Sequence, residues 1–131
     1  MTGTLALVGG AEWTEACSFD AGLLRASGGD RVVVVPTAAA YERPADVVAR
    51  ATSWFAGMGA TVDVVPVYRR AEALAAGAAD VLADARFVYL AGGSPMHLRS
   101  VLKDTPVWDA IVDVWRRGGV LAGSAEGASV L

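Results

Sequence analysis

Residues 120–128 carry the sequence Val-Leu-Ala-Gly-Ser-Ala-Glu-Gly-Ala, in which a short apolar run leads directly into two glycines spaced four residues apart. A strand followed by G-x-S-x-G is typical of a nucleophile elbow, a sharp strand-to-helix turn that presents a catalytic side chain at its centre. We therefore predict a strand over Val120–Ala122 and an elbow between Gly123 and Gly127. The central residue of this elbow is Ala125, whose methyl group cannot act as a nucleophile.

Four other short apolar runs precede the elbow, at intervals long enough to hold helices. The predicted strands are Thr4–Val8, Arg31–Val35, Thr61–Val65 and Phe87–Leu90. Their lack of polar alternation is typical of parallel strands that helices cover on both faces. The pattern predicts an α/β fold with a doubly wound, mostly parallel five-stranded sheet, and a flavodoxin-like strand order is the first choice.

Capping residues, glycines and apolar residues at helical spacing predict helices between these strands. Serine or threonine followed by proline is a strong helix start, because the hydroxyl caps the helix and proline fits its first position. The predicted helices are Phe19–Ala26, a helix from Pro44 to Gly59, an alanine-rich helix over 70–85 that is broken near Gly77, and two helices that begin at Ser94-Pro95 and Thr105-Pro106.

Composition excludes several classes of function. The chain has 131 residues, 54% of them hydrophobic, and a net charge of −3, which fits one domain over residues 1–131. No apolar run is long enough to cross a membrane, no secretory signal is visible and no basic stripe predicts nucleic-acid binding, so we expect a cytoplasmic protein. Cofactor fingerprints are absent, and the single Cys17 excludes a multi-cysteine zinc site, so neither a cofactor nor a metal is expected. The pairs Arg69-Arg70 and Arg116-Arg117 are interpreted as solvated helix ends.

A second candidate loop is Gly92-Gly93, directly before the helix start at Ser94-Pro95. Two glycines permit a sharp turn with free backbone N–H groups, and a helix N-terminus adds positive potential. Such a loop can stabilise an oxyanion, although a plain strand-to-helix turn has the same sequence. The only histidine, His97, lies in the first turn of the same helix and is interpreted as a surface residue.

These motifs together resemble the dipeptidase E and cyanophycinase family of serine peptidases, which have a class I glutamine amidotransferase-like fold. The resemblance runs through four blocks, at residues 7–10, 34–39, 90–95 and 121–124. It implies an acyl-transfer hydrolase that acts on short or aspartyl-containing peptides. The nucleophilic serine would lie at the elbow, and oxyanion donors would come from Gly92, Gly93 and the residue after the nucleophile.

The chain departs from that family in two respects. In a gapless match Ala125 replaces the serine and Glu126 replaces the small residue that follows it, and a carboxylate there would repel an oxyanion. A slip of one residue would make Ser124 the nucleophile but would spoil the glycine spacing. The family's histidine follows the serine, whereas this sequence ends at Leu131. We therefore predict the N-terminal part of a peptidase-like domain, truncated after the elbow and unable to hydrolyse peptides efficiently.

Two alternatives stay open. A non-catalytic domain of the same fold would bind a peptide or small molecule between the Gly92 and Gly123 loops. A glutamine amidotransferase relative is less favoured, because that class needs a cysteine at the elbow and Cys17 lies on another element. The short segment after the elbow would leave apolar surface exposed, so a homo-oligomer is also expected.

Overall fold

The computed structural model describes residues 4–7, 20–28, 30–37, 44–75, 77–90 and 95–123. Five strands, all in parallel pairings, form one sheet in the order β1-β5-β4-β2-β3. They are β1 Thr4–Leu7, β2 Arg31–Val35, β3 Thr61–Val64, β4 Phe87–Leu90 and β5 Val120–Gly123. The predicted α/β fold with a parallel five-stranded sheet is confirmed, and each predicted strand is found to within one residue at its carboxyl end.

The position of β1 refines the predicted flavodoxin-like order. In flavodoxin the first strand along the chain lies between the second and the third, and the fourth lies beyond the third. The strands β2, β3, β4 and β5 have the same arrangement, with β2 in the place of the first flavodoxin strand. Strand β1 adds to the far side of β5, where Leu7 pairs with Gly123. The strand that leads into the elbow is therefore flanked by β1 and β4 rather than exposed at an edge.

Among the residues that the structure describes, five α-helices alternate with the strands, and each strand-to-strand crossover carries at least one helix. They are α1 Asp20–Ser27, α2 Pro44–Ala56, α3 Arg70–Ala73, α4 Pro95–Leu102 and α5 Pro106–Arg116, with a short 3₁₀ helix at Asp80–Leu82. Thr105 caps α5 as predicted, because its side chain accepts a hydrogen bond from the Trp108 N–H at 3.2 Å. The predicted cap of α1 at Ser18 lies outside the described residues.

The alanine-rich segment over 70–85 is not one helix. It forms only the single turn α3 and the 3₁₀ helix, separated near Gly77, which has a φ of +83°. A positive φ interrupts a right-handed helix at little cost in glycine. The predicted break near Gly77 is therefore confirmed, and it shortens the helix on both sides more than alanine content alone suggests.

Helices cover both faces of the sheet, as doubly wound folds require. One face packs against α1 and α2 through Leu24, Val47, Ala51 and Phe55. The other packs against α3, α4 and α5, with Leu98 and Ile111 fully buried. Alternate strand residues point to each side, so Val32 and Val34 join the first cluster whereas Val33 and Val35 join the second. All four valines are fully buried, which explains their unbroken apolar run.

Candidate active site

Four neighbouring strands end at the same level of the sheet. Leu7 of β1 pairs with Gly123 of β5, Gly123 pairs with Leu90 of β4, and Leu90 pairs with Val35 of β2. These four residues are the last of their strands. Ligands of open parallel sheets bind beyond such carboxyl ends, so this row marks the candidate site.

The elbow and the glycine-rich turn start side by side along this row. Strand β5 ends with Gly123, one residue beyond the predicted strand end at Ala122, and Leu90, two residues before Gly92, is its partner on β4. Paired strands lie about 4.8 Å apart, so both connections leave the sheet one strand spacing from each other. The remaining predicted site residues, Gly92, Gly93, Ser124, Ala125, Glu126 and Gly127, lie outside the described residues.

His97, in the first turn of α4, contacts the segment that follows β3. Its Nε2 lies 2.7 Å from the Tyr68 carbonyl oxygen, in the segment that follows β3. A carbonyl only accepts hydrogen bonds, so Nε2 is the donor in this contact. Tyr68 follows β3, which β2 and β4 separate from β5 in the order of the sheet. His97 is half-buried, so the predicted helix-surface position is only partly correct.

Thr37 makes a second contact to the same segment. It follows β2, is fully buried, and donates its hydroxyl hydrogen to the Val67 carbonyl at 2.6 Å. Two consecutive carbonyls, those of Val67 and Tyr68, are therefore bound by side chains from different elements. The segment after β3 is fixed across the end of β2 and against the first turn of α4.

Tyr68 is the residue most firmly placed by these contacts. Its N–H donates to Glu72 Oε1 at 2.9 Å, and its carbonyl accepts from His97. The Arg69 N–H donates to the same carboxylate oxygen at 2.9 Å, which caps the start of α3. Burial, and to a smaller extent the negative charge of Glu72, raise the pKa of the Tyr68 phenol above its ordinary value of 10.0. Tyr68 therefore stays neutral at neutral pH.

Sequence reasoning did not single out Thr37 or Tyr68 as individual site residues. A usable signal for Thr37 is its position directly after Pro36, where β2 ends, because polar residues at strand carboxyl ends are placed towards the site. Tyr68 gives no such signal, since it lies four residues beyond β3 and is placed by contacts between distant elements.

Neither a metal-binding cluster nor a membrane span is found in the part of the chain that the structure describes. No group of three or more histidine, cysteine, aspartate or glutamate residues there could hold a metal ion. None of the helices described is long and apolar enough to cross a membrane.

Comparison with known proteins identifies the family of this chain. The profile of peptidase family S51 matches residues 5–131, from β1 through the elbow sequence. The chain belongs to peptidase family S51. Its membership confirms the resemblance to dipeptidase E and supports a peptidase-type function. None of the curated proteins is similar enough in sequence to count as a match.

Two solved structures extend the comparison for this family S51 chain. A peptidase from an acI-B1 actinobacterium superposes with a TM-score of 0.88 at 30% identity, over 97% of this chain and 55% of that one. A protein from Listeria monocytogenes EGD-e, provisionally named a peptidase E, superposes with a TM-score of 0.70 at 19% identity, over 97% of this chain and 60% of that one. The second comparison supports the fold alone. The chain spans little more than half of the length of either structure.

Proposed function

We propose that this chain keeps the substrate-binding end of a family S51 peptidase but lacks the group that attacks the peptide bond. The observation that carries the proposal is the pairing of Gly123 with Leu90 at the ends of β5 and β4. It starts the elbow connection beside the Gly92-Gly93 connection, while the sequence puts Ala125 at the nucleophile position.

The proposed ligands are short peptides, including aspartyl-containing ones, and the ancestral chemistry is serine-type acyl transfer. In that chemistry a serine at position 125 attacks the carbonyl carbon, and backbone N–H groups stabilise the oxyanion. The Gly92-Gly93 turn and the residue after the nucleophile are the proposed donors. Their connections leave adjacent strands, which supports placing both donors at one site.

Two substitutions oppose efficient hydrolysis. Ala125 has no oxygen or sulfur atom to attack the substrate, and loss of a catalytic nucleophile lowers the rate by about 10⁴–10⁶-fold in serine hydrolases. Glu126 would bring a negative charge to the place where the oxyanion develops, which raises the barrier further. We therefore propose that turnover by the unmodified chain is negligible.

A non-catalytic binding role is the second candidate. Thr37 and His97 fix consecutive carbonyls at the carboxyl end of the sheet, so this side of the site is preorganised without any contribution from a nucleophile. The carboxylate of Glu126 would favour the ammonium group of a peptide or amine over an anion. Binding of aspartyl dipeptides without their cleavage is the expected behaviour.

The deciding experiment compares four chains in one assay. Cleavage of aspartyl dipeptides is followed by mass spectrometry, and binding by calorimetry, for the unmodified chain, Ser124→Ala, Ala125→Ser and Ala125→Ser with Glu126→Ala. We expect binding by all four chains and no cleavage by the first two. Any activity gained in the double variant would locate the lost chemistry at the elbow.

Two outcomes would contradict the proposal. Turnover by the unmodified chain at a rate similar to that of the double variant would show that Ala125 does not remove activity. If Ser124→Ala then abolished that turnover, the alternative register with Ser124 as the nucleophile would be correct. Absence of binding by every variant would exclude both the peptidase-derived and the binding roles for this chain.

Self-association remains part of the proposal. Among the described residues Leu74 is the exposed large hydrophobic side chain, with 52% of its surface accessible. Size-exclusion chromatography with light scattering would measure the oligomeric state at micromolar concentration. A monomer at every concentration tested would overturn the expected homo-oligomer.

A further inference from the structure

A hollow of about 520 Å³ lies where the start of α3 meets the second half of α4, away from the strand ends described above. The residues that line it are Arg70, Arg99, Ser100, Lys103 and Asp104. Three of these five side chains are cationic and one is anionic. The hollow therefore carries local positive charge on a chain whose net charge is −3.

Arg70 is held in place by the end of α4. Its Nη1 donates to the Lys103 carbonyl at 2.7 Å and to the Ser100 carbonyl at 3.3 Å. These bonds use one nitrogen of the guanidinium group, which carries five N–H donors in a fixed plane. A guanidinium anchored in this way loses little further conformational entropy when it binds an anion.

Arg99 and Lys103 add two charges one helical turn apart. Over the described residues neither side chain makes a hydrogen bond or an ion pair, and both are exposed. Like charges at this spacing repel each other, and an anion bound between them would remove that repulsion.

The position of these cations at the end of α4 explains only part of their clustering. Cations near a helix C-terminus are stabilised by the unpaired carbonyls there, and Arg70 already binds the Ser100 carbonyl in the last turn of α4 and the Lys103 carbonyl just after it. By contrast, Arg31 and Arg117 each make ion pairs with aspartates. Asp104 supplies a single carboxylate against three cations, so the hollow retains unpaired positive charge.

We propose that this hollow binds a small, multiply charged oxyanion, with Arg70, Arg99 and Lys103 as its cationic ligands. Phosphate groups and polycarboxylates share the required chemistry, because both present several oxygens to guanidinium and ammonium donors. The site lies along α4 from His97 and is independent of the proposed peptide site. An anion bound in the hollow would not compete with a peptide bound at the strand ends.

The test uses the unmodified chain, labelled with ¹⁵N and titrated in low-salt buffer with inorganic pyrophosphate or citrate. Saturable shifts of the Ser100–Asp104 amides are expected with at least one probe, and the stronger probe distinguishes a phosphate source from a carboxylate source. The variant Arg99→Gln with Lys103→Gln is expected to weaken that binding by about tenfold or more.

A charge-matched control is Arg25→Gln with Arg116→Gln. These arginines lie in the last turns of α1 and α5, are exposed, and so share the helix-end position and the charge of the tested pair. Equal weakening in the control would show that only net charge matters, and linear, non-saturating shifts would show an adventitious ion only. Either result, or no shift at tens of millimolar anion, would overturn the proposal.

Discussion

At the amino end of the sheet arginines hold the connections in place, whereas at the carboxyl end an uncharged hydroxyl and an imidazole do so. Arg31 binds Asp63, Asp84 and the Val81 carbonyl, and Arg86 donates to the Ser27 carbonyl at 2.7 Å. Arg117 donates to three carbonyls between residues 82 and 85, the shortest at 2.6 Å. At the other end Thr37 and His97 bind the carbonyls of Val67 and Tyr68.

The difference teaches how a small domain separates stability from ligand binding. Partly exposed arginines can join several carbonyls at once, since each guanidinium is a planar donor of five N–H groups. The carboxyl end is fixed by the Thr37 hydroxyl, the His97 imidazole and the Glu72 carboxylate rather than by arginines. We expect substitutions at the amino end to change mainly the free energy of unfolding, and substitutions at the carboxyl end to change peptide binding as well.

The largest expected effect is that of Gly119→Ala at the amino end. A Cβ there would lie 2.7 Å from the Val114 carbonyl oxygen and 2.9 Å from the Arg86 carbonyl oxygen, both of them backbone atoms. Such overpacking should lower the free energy of unfolding by about 3 kcal/mol, measured by urea denaturation. Gly57→Ala is the control, since its Cβ would have no contact closer than 3.4 Å. Equal losses in both variants would contradict tight packing at the amino end.

The second effect is that of Arg31→Gln, which removes the partner of two aspartates and one carbonyl. The Arg31 side chain is 27% exposed, so solvent screening limits the expected loss to about 1–2 kcal/mol of unfolding free energy. Arg25→Gln, at the exposed end of α1, should change stability by less than about 0.5 kcal/mol. Thermal denaturation of both variants would measure the difference, and a neutral Arg31→Gln would show that the amino end does not depend on this residue.

Thr37→Val tests the carboxyl end. The valine keeps the shape but leaves the Val67 carbonyl without its donor, which should cost about 1–2 kcal/mol because the site is buried. Aspartyl dipeptide affinity should fall at the same time. Thr52→Val is the matched control: its hydroxyl donates to the Val48 carbonyl at 2.8 Å on an exposed helix face. Unchanged peptide affinity in Thr37→Val would show that this contact has a purely structural role.

A smaller effect is expected at His97. His97→Gln can keep a donor near the Tyr68 carbonyl, whereas His97→Leu cannot. The leucine variant should lose about 0.5–1 kcal/mol of stability and bind dipeptides more weakly, and the glutamine variant should recover most of both. Calorimetric titration of the pair would check this. Identical behaviour of the two variants would exclude the hydrogen bond as the cause.

The smallest effect is the acid dependence of the arginine contacts. Hydrogen bonding to Arg31 lowers the pKa of the Asp84 carboxyl below its ordinary value of 3.8. A lowered pKa in the folded state gives stability that is complete above the unfolded pKa and is lost as the pH falls through the folded one. The acid limb of a stability profile below about pH 4 should therefore be shallower in Asp84→Asn. Superimposable profiles would show that the exposed Asp84 contributes nothing.

Much of the sheet could be predicted from the sequence because its signals are local. Unbroken runs such as Val32–Val35 indicate burial on both faces, and Thr105-Pro106 marks the start of α5. The position of β1 could not be predicted in this way, since it depends on pairing between Leu7 and Gly123 at opposite ends of the chain. Arg70 and Arg117 are exposed at helix ends as predicted, but each also binds carbonyls more than thirty residues away in sequence, which no local pattern predicts.

In the candidate site, too, local features could be predicted from the sequence and contacts between distant residues could not. The motif itself predicts that the elbow begins at Gly123, and Gly123 is the last residue of β5 in the structure. The contacts of Thr37 and His97 depend on the path of the segment after β3, for which residues 65–68 give no local signal. The sequence motif therefore predicts where the loop starts, whereas hydrogen bonds between residues distant in sequence place the segment after β3 beside it.

The pairing of β1 with β5 also has a consequence for synthesis. Of the five strands described, β1 with Thr4 leaves the ribosome first, whereas its partner β5, which contains Val120, leaves last. Strands β2, β3 and β4 can associate beforehand, whereas β1 must wait for β5 to enter between it and β4. Contacts between such distant residues slow folding and leave a strand edge open to aggregation in the meantime. The strand that carries the elbow is therefore also the one that closes the sheet.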